Sequence, residues 1–86
     1  MQDVPLYLKN TLRSLRIKFG YTQGEAARLL GVSIPTLRKW EFNSEKLSHE
    51  ETKKIEEVYK ISNDYIFFGS EIAFSEPIRG QRKNTA

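Results

Sequence analysis

The sequence predicts an all-α fold of five short helices followed by a short C-terminal tail that is extended or disordered. Three observations lead there. Apolar residues recur at intervals of three and four, two capping boxes stand directly before apolar runs, and no stretch reads as a core strand.

Leu8, Leu12, Leu15 and Phe19 form one stripe of a first helix that can start after Asp3, with Pro5 in its first turn, and that ends at Gly20. Thr22 with Glu25 three residues on is a capping box, opening a second helix whose Ala26, Ala27, Leu29 and Leu30 run to Gly31. Ser33 caps a third helix. Pro35 is harmless in its first turn, where N–H groups have no intrahelical acceptor, and Leu37 and Trp40 face inward. Residues 42–47 carry no helical stripe, and Ser48 with Glu51 then makes the second capping box, before Ile55, Val58 and Tyr59 of a fourth helix. Ser62, Asn63 and Asp64 are cap-forming residues ahead of Tyr65, Ile66, Phe67 and Phe68, a very short fifth helix closed by Gly69. Ile72 and Phe74 alternate with polar neighbours and suit one extended edge segment before Pro77; the last ten residues read as disordered and basic. This places a domain over residues 1–69 and a tail over 70–86.

A chain of 86 residues has room for one small core, and domains of this size often lean on oligomers, so a dimer is expected. Cysteine is absent and His49 is the single histidine, which leaves no disulfide, no thiolate metal site and no self-sufficient zinc site. His49 reads as an exposed first-turn residue of the fourth helix. Ser33, Ser44, Ser48 and Asp64 serve better as caps than as parts of a hydrolytic triad, which also needs a placed base, and no cofactor motif is present. An enzyme is the least expected class. No apolar run approaches the ~20 residues that span a bilayer, and the N-terminus lacks a basic-then-apolar signal pattern, so the reading is cytoplasmic with no membrane partner.

Charge is polarised along the chain. Residues 9–39 hold seven basic side chains against Glu25, a net +6, whereas residues 40–76 hold four lysines against nine acidic residues, a net −5, and residues 77–86 add +3. That distribution suits one face for a polyanion and another turned away from it. Glu50, Glu51, Glu56 and Glu57 read as the solvated face of the fourth helix.

Residues 22–41 carry the most specific pattern. Counting Gln23 as first, the small Ala27 is fifth, where two helices cross, and Gly31 is ninth, where the chain reverses and a positive φ is cheap only for glycine. Ala26, Leu30, Val32, Leu37 and Trp40 fill positions four, eight, ten, fifteen and eighteen, all apolar and all needed to bury the corner of a helix-turn-helix. With Leu12-Arg13-Ser14-Leu15-Arg16, Gly20-Tyr21-Thr22-Gln23, Trp40-Glu41 and the ending Ser62 to Gly69, the sequence resembles the Xre/Cro-type helix-turn-helix family of phage and bacterial repressors across residues 9–69. The resemblance implies a five-helix, lambda-repressor-like domain with its third helix in the DNA major groove, bound as a two-fold dimer on an inverted repeat of double-stranded DNA.

With Leu37 and Trp40 inward, Ser33, Ile34, Pro35, Arg38 and Lys39, with Thr36 beside them, form the opposite, base-facing side of the third helix. Arg38 or Lys39 can donate to guanine O6 and N7, while Ile34 and Pro35 offer only apolar contact, best used on a thymine methyl; Ile34 can alternatively staple the corner. The family often has polar side chains at those two positions, so this chain departs from it there. Thr22 as cap and Gln23 just after it would bring backbone N–H groups, the positive helix end and a side-chain amide to a phosphate. The resemblance further implies an architectural ion pair between Arg16 and Glu41, and backbone contacts from Asn43 and Lys46, although Glu45 between those two would repel a phosphate.

Four bulky residues on a one-turn helix cannot all enter one small core. The resemblance puts Ile66 and Phe67 inside and leaves Phe68 and Tyr65 for a partner subunit, with Ile72 and Phe74 extending that contact. Two alternatives stay open: an antitoxin-like autoregulator whose extra surface binds a second protein, and an adaptor that turns the same fold to a protein partner.

Overall fold

A computed structural model describes residues 4–74, and residues 1–3 and the basic tail after residue 74 lie outside that range. Four α-helices follow one another: α1, Leu12–Lys18; α2, Gln23–Leu30; α3, Ile34–Phe42; and α4, His49–Tyr59. Single 3-10 turns flank them, Leu6–Leu8 before α1 and Asn63–Tyr65 after α4, and the latter stands where the fifth helix is expected. Among the described residues there is no strand longer than an isolated bridge.

The first helix is shorter than its stripe suggests. Thr11 is extended and caps α1 through a reciprocal box with Ser14, so the chain breaks between Leu8 and Leu12, and Leu8 lies exposed instead of extending the buried stripe. Local side-chain hydrogen bonding outcompetes helix continuation at Thr11, which sequence spacing alone cannot weigh. The capping boxes of α2 and α4 and the Ser33 cap of α3 form as expected.

Leu12, Leu15, Ala26, Ala27, Leu30, Leu37, Ile55, Tyr59 and Ile66 make the buried core, with Val32, Trp40, Leu47, Val58 and Phe68 packed against it. Phe19 leaves the core proper and meets Tyr59 edge-on, ring centroids 5.4 Å apart.

After α4 the chain crosses back over the domain as a strap. Asn10 donates to the Tyr65 carbonyl at 2.7 Å and accepts from the Phe67 N–H at 2.8 Å, a parallel bridge that pins one end. At the other end the buried Ser44 donates its N–H to the Gly69 carbonyl, and its hydroxyl accepts from the Gly69 N–H, both at 3.0 Å. Ser44 is thus a tie between loop and strap, not a helix cap. Gly69 does not close a helix as expected; it sits in the strap, where a Cβ would lie 2.8 Å from the Phe67 ring and force that ring to shift. Residues 71–74 then turn helical, with the Phe74 N–H bonded to the Ser70 carbonyl, so the extended edge segment expected at Ile72 and Phe74 does not form. The acidic face of α4 is not uniformly solvated either. Glu51 closes the capping box, and Glu56 accepts from the Asn63 N–H at 2.7 Å, fastening the second 3-10 turn to α4.

Candidate nucleic-acid interface

The site is built on the corner between α2 and α3. Ala26 and Ala27 are buried at the crossing, and Gly31 takes φ +75°, a left-handed turn that lets the Val32 N–H reach back to the Ala27 carbonyl at 2.9 Å. Leu37 is 1% exposed, which fixes the rotation of α3. Ser33, Ile34, Pro35, Arg38 and Lys39 consequently lie on its exposed side, and Thr36 is half-buried beside them.

Within that face the polar groups are partly committed. The Ser33 hydroxyl accepts from the Thr36 N–H and donates to the Thr36 hydroxyl at 2.9 Å, leaving the Thr36 O–H as the free donor of the pair. Ile34 reaches across to α2: a Cβ at Gly24 would lie 3.8 Å from Ile34 Cδ1, so the side chain roofs the corner while staying 40% exposed. It therefore staples the corner and still presents apolar surface outward. Arg38 Nε donates to Gln23 Oε1 at 3.1 Å, which joins the exposed face of α3 to the first residue of α2.

At the start of α2, the Thr22 hydroxyl accepts from the Glu25 N–H while Glu25 Oε1 accepts from the Thr22 N–H. The bond from the Thr22 N–H, with the Thr22 hydroxyl beside the carboxylate and Arg28 nearby, holds the Glu25 carboxyl below its usual range. Asn43 lies at the far end of α3, about 13 Å along a helix of this length, where its side chain accepts from the Glu45 N–H; Lys46 is exposed beyond it.

Behind the face, Arg16 Nε donates to Glu41 Oε2 at 2.7 Å and its Nη1 donates to the Tyr21 carbonyl at 3.1 Å. The pair links α1, the turn before α2 and the last turn of α3. Its neighbour Tyr59 has a buried hydroxyl with no hydrogen-bond partner among the described residues, and burial, reinforced by the Glu41 charge, pushes its pKa up to about 12.

The aromatic end differs from expectation. Ile66 is buried as expected, but Phe68 packs against the core instead of standing outside it, and Phe67, half-buried like Phe68, meets Phe74, ring centroids 5.3 Å apart. Alternation along an extended strap sends neighbouring side chains to opposite sides, which the helix expected there would not do. Of the four residues expected at a subunit contact, Tyr65 and Ile72 are exposed while Phe68 and Phe74 are partly covered.

Spacing along the chain does not disclose the bond between Gln23 and Arg38, because the residues are fifteen apart on different helices and meet only through the crossing angle. Among the described residues no group of three or more His, Asp or Glu side chains could hold a metal, and no helix is long and apolar enough to cross a membrane.

Two crossed helices with a left-handed glycine between them, and a second helix showing its basic side outward, define the class of helix-turn-helix DNA-binding transcription regulators. A family model described as helix-turn-helix matches residues 12–66, and the chain belongs to that family, of the Xre/Cro type. No curated protein matches the chain.

Proposed function

We propose that the protein is a sequence-specific regulator of transcription, a repressor of phage, mobile-element or autoregulatory type, that binds an inverted repeat in double-stranded DNA as a homodimer with α3 in the major groove. The observation that carries this reading is the exposed side of α3, where Arg38 and Lys39 stand with Ile34 and Pro35 next to the N-terminus of α2. Arg38 and Lys39 supply donors for guanine, Ile34 and Pro35 an apolar patch for a thymine methyl, and Ser33 and Thr36 a hydroxyl at the groove floor. Thr22 and Gln23 hold a phosphate at the α2 N-terminus, with Asn43 and Lys46 serving the backbone farther along. The Arg16–Glu41 pair is architectural. Tyr65 and Ile72, both exposed, contribute to the subunit contact, and Phe68 and Phe74 shape it from behind.

Selection of the purified protein against a randomised duplex library at about 150 mM salt tests the proposal. The expected result is an enriched inverted repeat with half-sites about one helical turn apart and affinity that falls steeply with salt. No enriched sequence, together with binding indifferent to salt, overturns it in favour of a protein-binding adaptor. Sedimentation tests the dimer separately: Ile72→Asp is expected to shift a dimer to monomer, and a wild-type protein that is monomeric and binds single half-sites refutes that part.

A further inference from the structure

We infer that Gln23 is a positioning residue for Arg38, so that the phosphate clamp at the start of α2 and the reading of one guanine by α3 form a single device. The inference rests on the DNA-binding function proposed above and assigns the specificity to a particular pair of side chains.

The geometry divides the hydrogen-bonding groups of both residues. An arginine guanidinium has five N–H donors, one on Nε and four on the two terminal nitrogens. Here Nε is occupied by Gln23 Oε1 at 3.1 Å. The terminal edge, with two parallel N–H groups, has no hydrogen bond among the described residues and belongs to an exposed side chain, and that edge matches guanine O6 and N7. The same bond fixes the amide of Gln23. Its oxygen is committed to Arg38, so its NH2 points the other way as a donor, which is the polarity a phosphate oxygen requires. Ile34, the first residue of α3, lies over Gly24 and brings no hydrogen-bonding side chain to compete for Gln23. An unrestrained arginine samples many rotamers, and fixing it costs about 2 kcal/mol of side-chain entropy; a partner that already holds Nε removes part of that cost before DNA arrives.

The consequence is a coupling between two kinds of interaction that ordinarily act independently. Removing a group that only touches phosphate weakens binding to all sequences about equally, whereas removing a positioning residue flattens the preference at one base pair. Glutamate at position 23 separates the two roles, since its carboxylate still accepts from Arg38 Nε but repels a phosphate.

The experiment is library selection, followed by affinity measurements on guanine-containing and substituted duplexes, with wild type, Arg38→Ala, Gln23→Ala and Gln23→Glu. Wild type should enrich a guanine in each half-site, preferred about tenfold or more over the other bases, and Arg38→Ala should abolish that preference. Gln23→Ala is expected to flatten the same position and no other, with its melting temperature little changed because the half-buried side chain bonds only to the exposed Arg38 among the described residues. Gln23→Glu should keep the guanine preference while affinity for every duplex falls. A guanine preference that survives Gln23→Ala undiminished overturns the positioning role and leaves the DNA-binding function standing. A wild-type motif with no position sensitive to Arg38 also overturns it, whereas the absence of any enriched motif overturns the underlying function itself.

Discussion

The α2–α3 corner and the strap that follows α4 are both short, but they are held in opposite ways. The corner is closed by partners a few residues apart: Thr22 with Glu25, Ser33 with Thr36, Val32 with Ala27. The strap has few local bonds and depends on Asn10, more than fifty residues away, and on Ser44, twenty-five residues before Gly69. The difference teaches that the recognition corner is defined by its own sequence, while the aromatic end is defined by the rest of the domain. Damage to the two should propagate differently.

The largest effect is expected where a long-range bond underlies the corner. Arg16→Ala leaves the Glu41 carboxylate buried without its partner and should destabilise the domain by about 3 kcal/mol, measured by urea unfolding. DNA affinity should then fall only as far as the folded fraction does; a loss of binding with an unchanged unfolding curve would make Arg16 a phosphate ligand instead.

Ser44→Ala attacks the strap. It orphans the Gly69 N–H and should cost about 1–2 kcal/mol. Hydrogen exchange should accelerate over residues 66–70 while α2 and α3 keep their protection, and equal acceleration in both regions would erase the distinction between them.

Tyr59→Phe probes the place where the two regions share a core. Its hydroxyl is buried without a partner among the described residues, so phenylalanine should stabilise by about 1 kcal/mol. The pH dependence has a definite sign. The folded protein binds the phenolic proton more tightly than the unfolded chain, so the contribution of Tyr59 is fully present below pH 10 and is lost as pH rises through about 12, and the phenylalanine variant should lack that part of the alkaline decline.

The smallest effect belongs to Glu25, whose pKa is lowered by its bonds to Thr22 and by Arg28. Its contribution is present above the ordinary glutamate value and disappears as pH falls through the lower, folded value. Glu25→Gln should lower the neutral plateau of the melting temperature slightly and flatten its acid limb.

This division also explains what can be read from the sequence. Caps, the crossing alanine and the left-handed glycine obey spacing rules of three to nine residues, so α2, α3 and the exposed face from Ser33 to Lys39 are legible in the chain itself. The break before α1 is not, because Thr11 pairs with Ser14 rather than with a Glu or Gln, a weaker signal than the boxes at Thr22 and Ser48. The family resemblance, not spacing, places Phe67 inside and Phe68 outside; a helix and an extended strap distribute consecutive residues differently, and only Asn10 and Ser44 decide between them. At the site, the identity of the exposed residues follows from periodicity, whereas the bond from Arg38 to Gln23 requires the angle between two helices.

The bridge between Asn10 and Ile66 also carries a consequence for synthesis. As the chain leaves the ribosome, the recognition corner has all its local partners by residue 41, but the groove that Ile66 fills stays open and the amide and carbonyl of Asn10 keep their water until the strap emerges. A nascent chain cut short before residue 66 would lack both strap bonds to Asn10 and would leave the core surface that Ile66 covers open to water until the strap arrives.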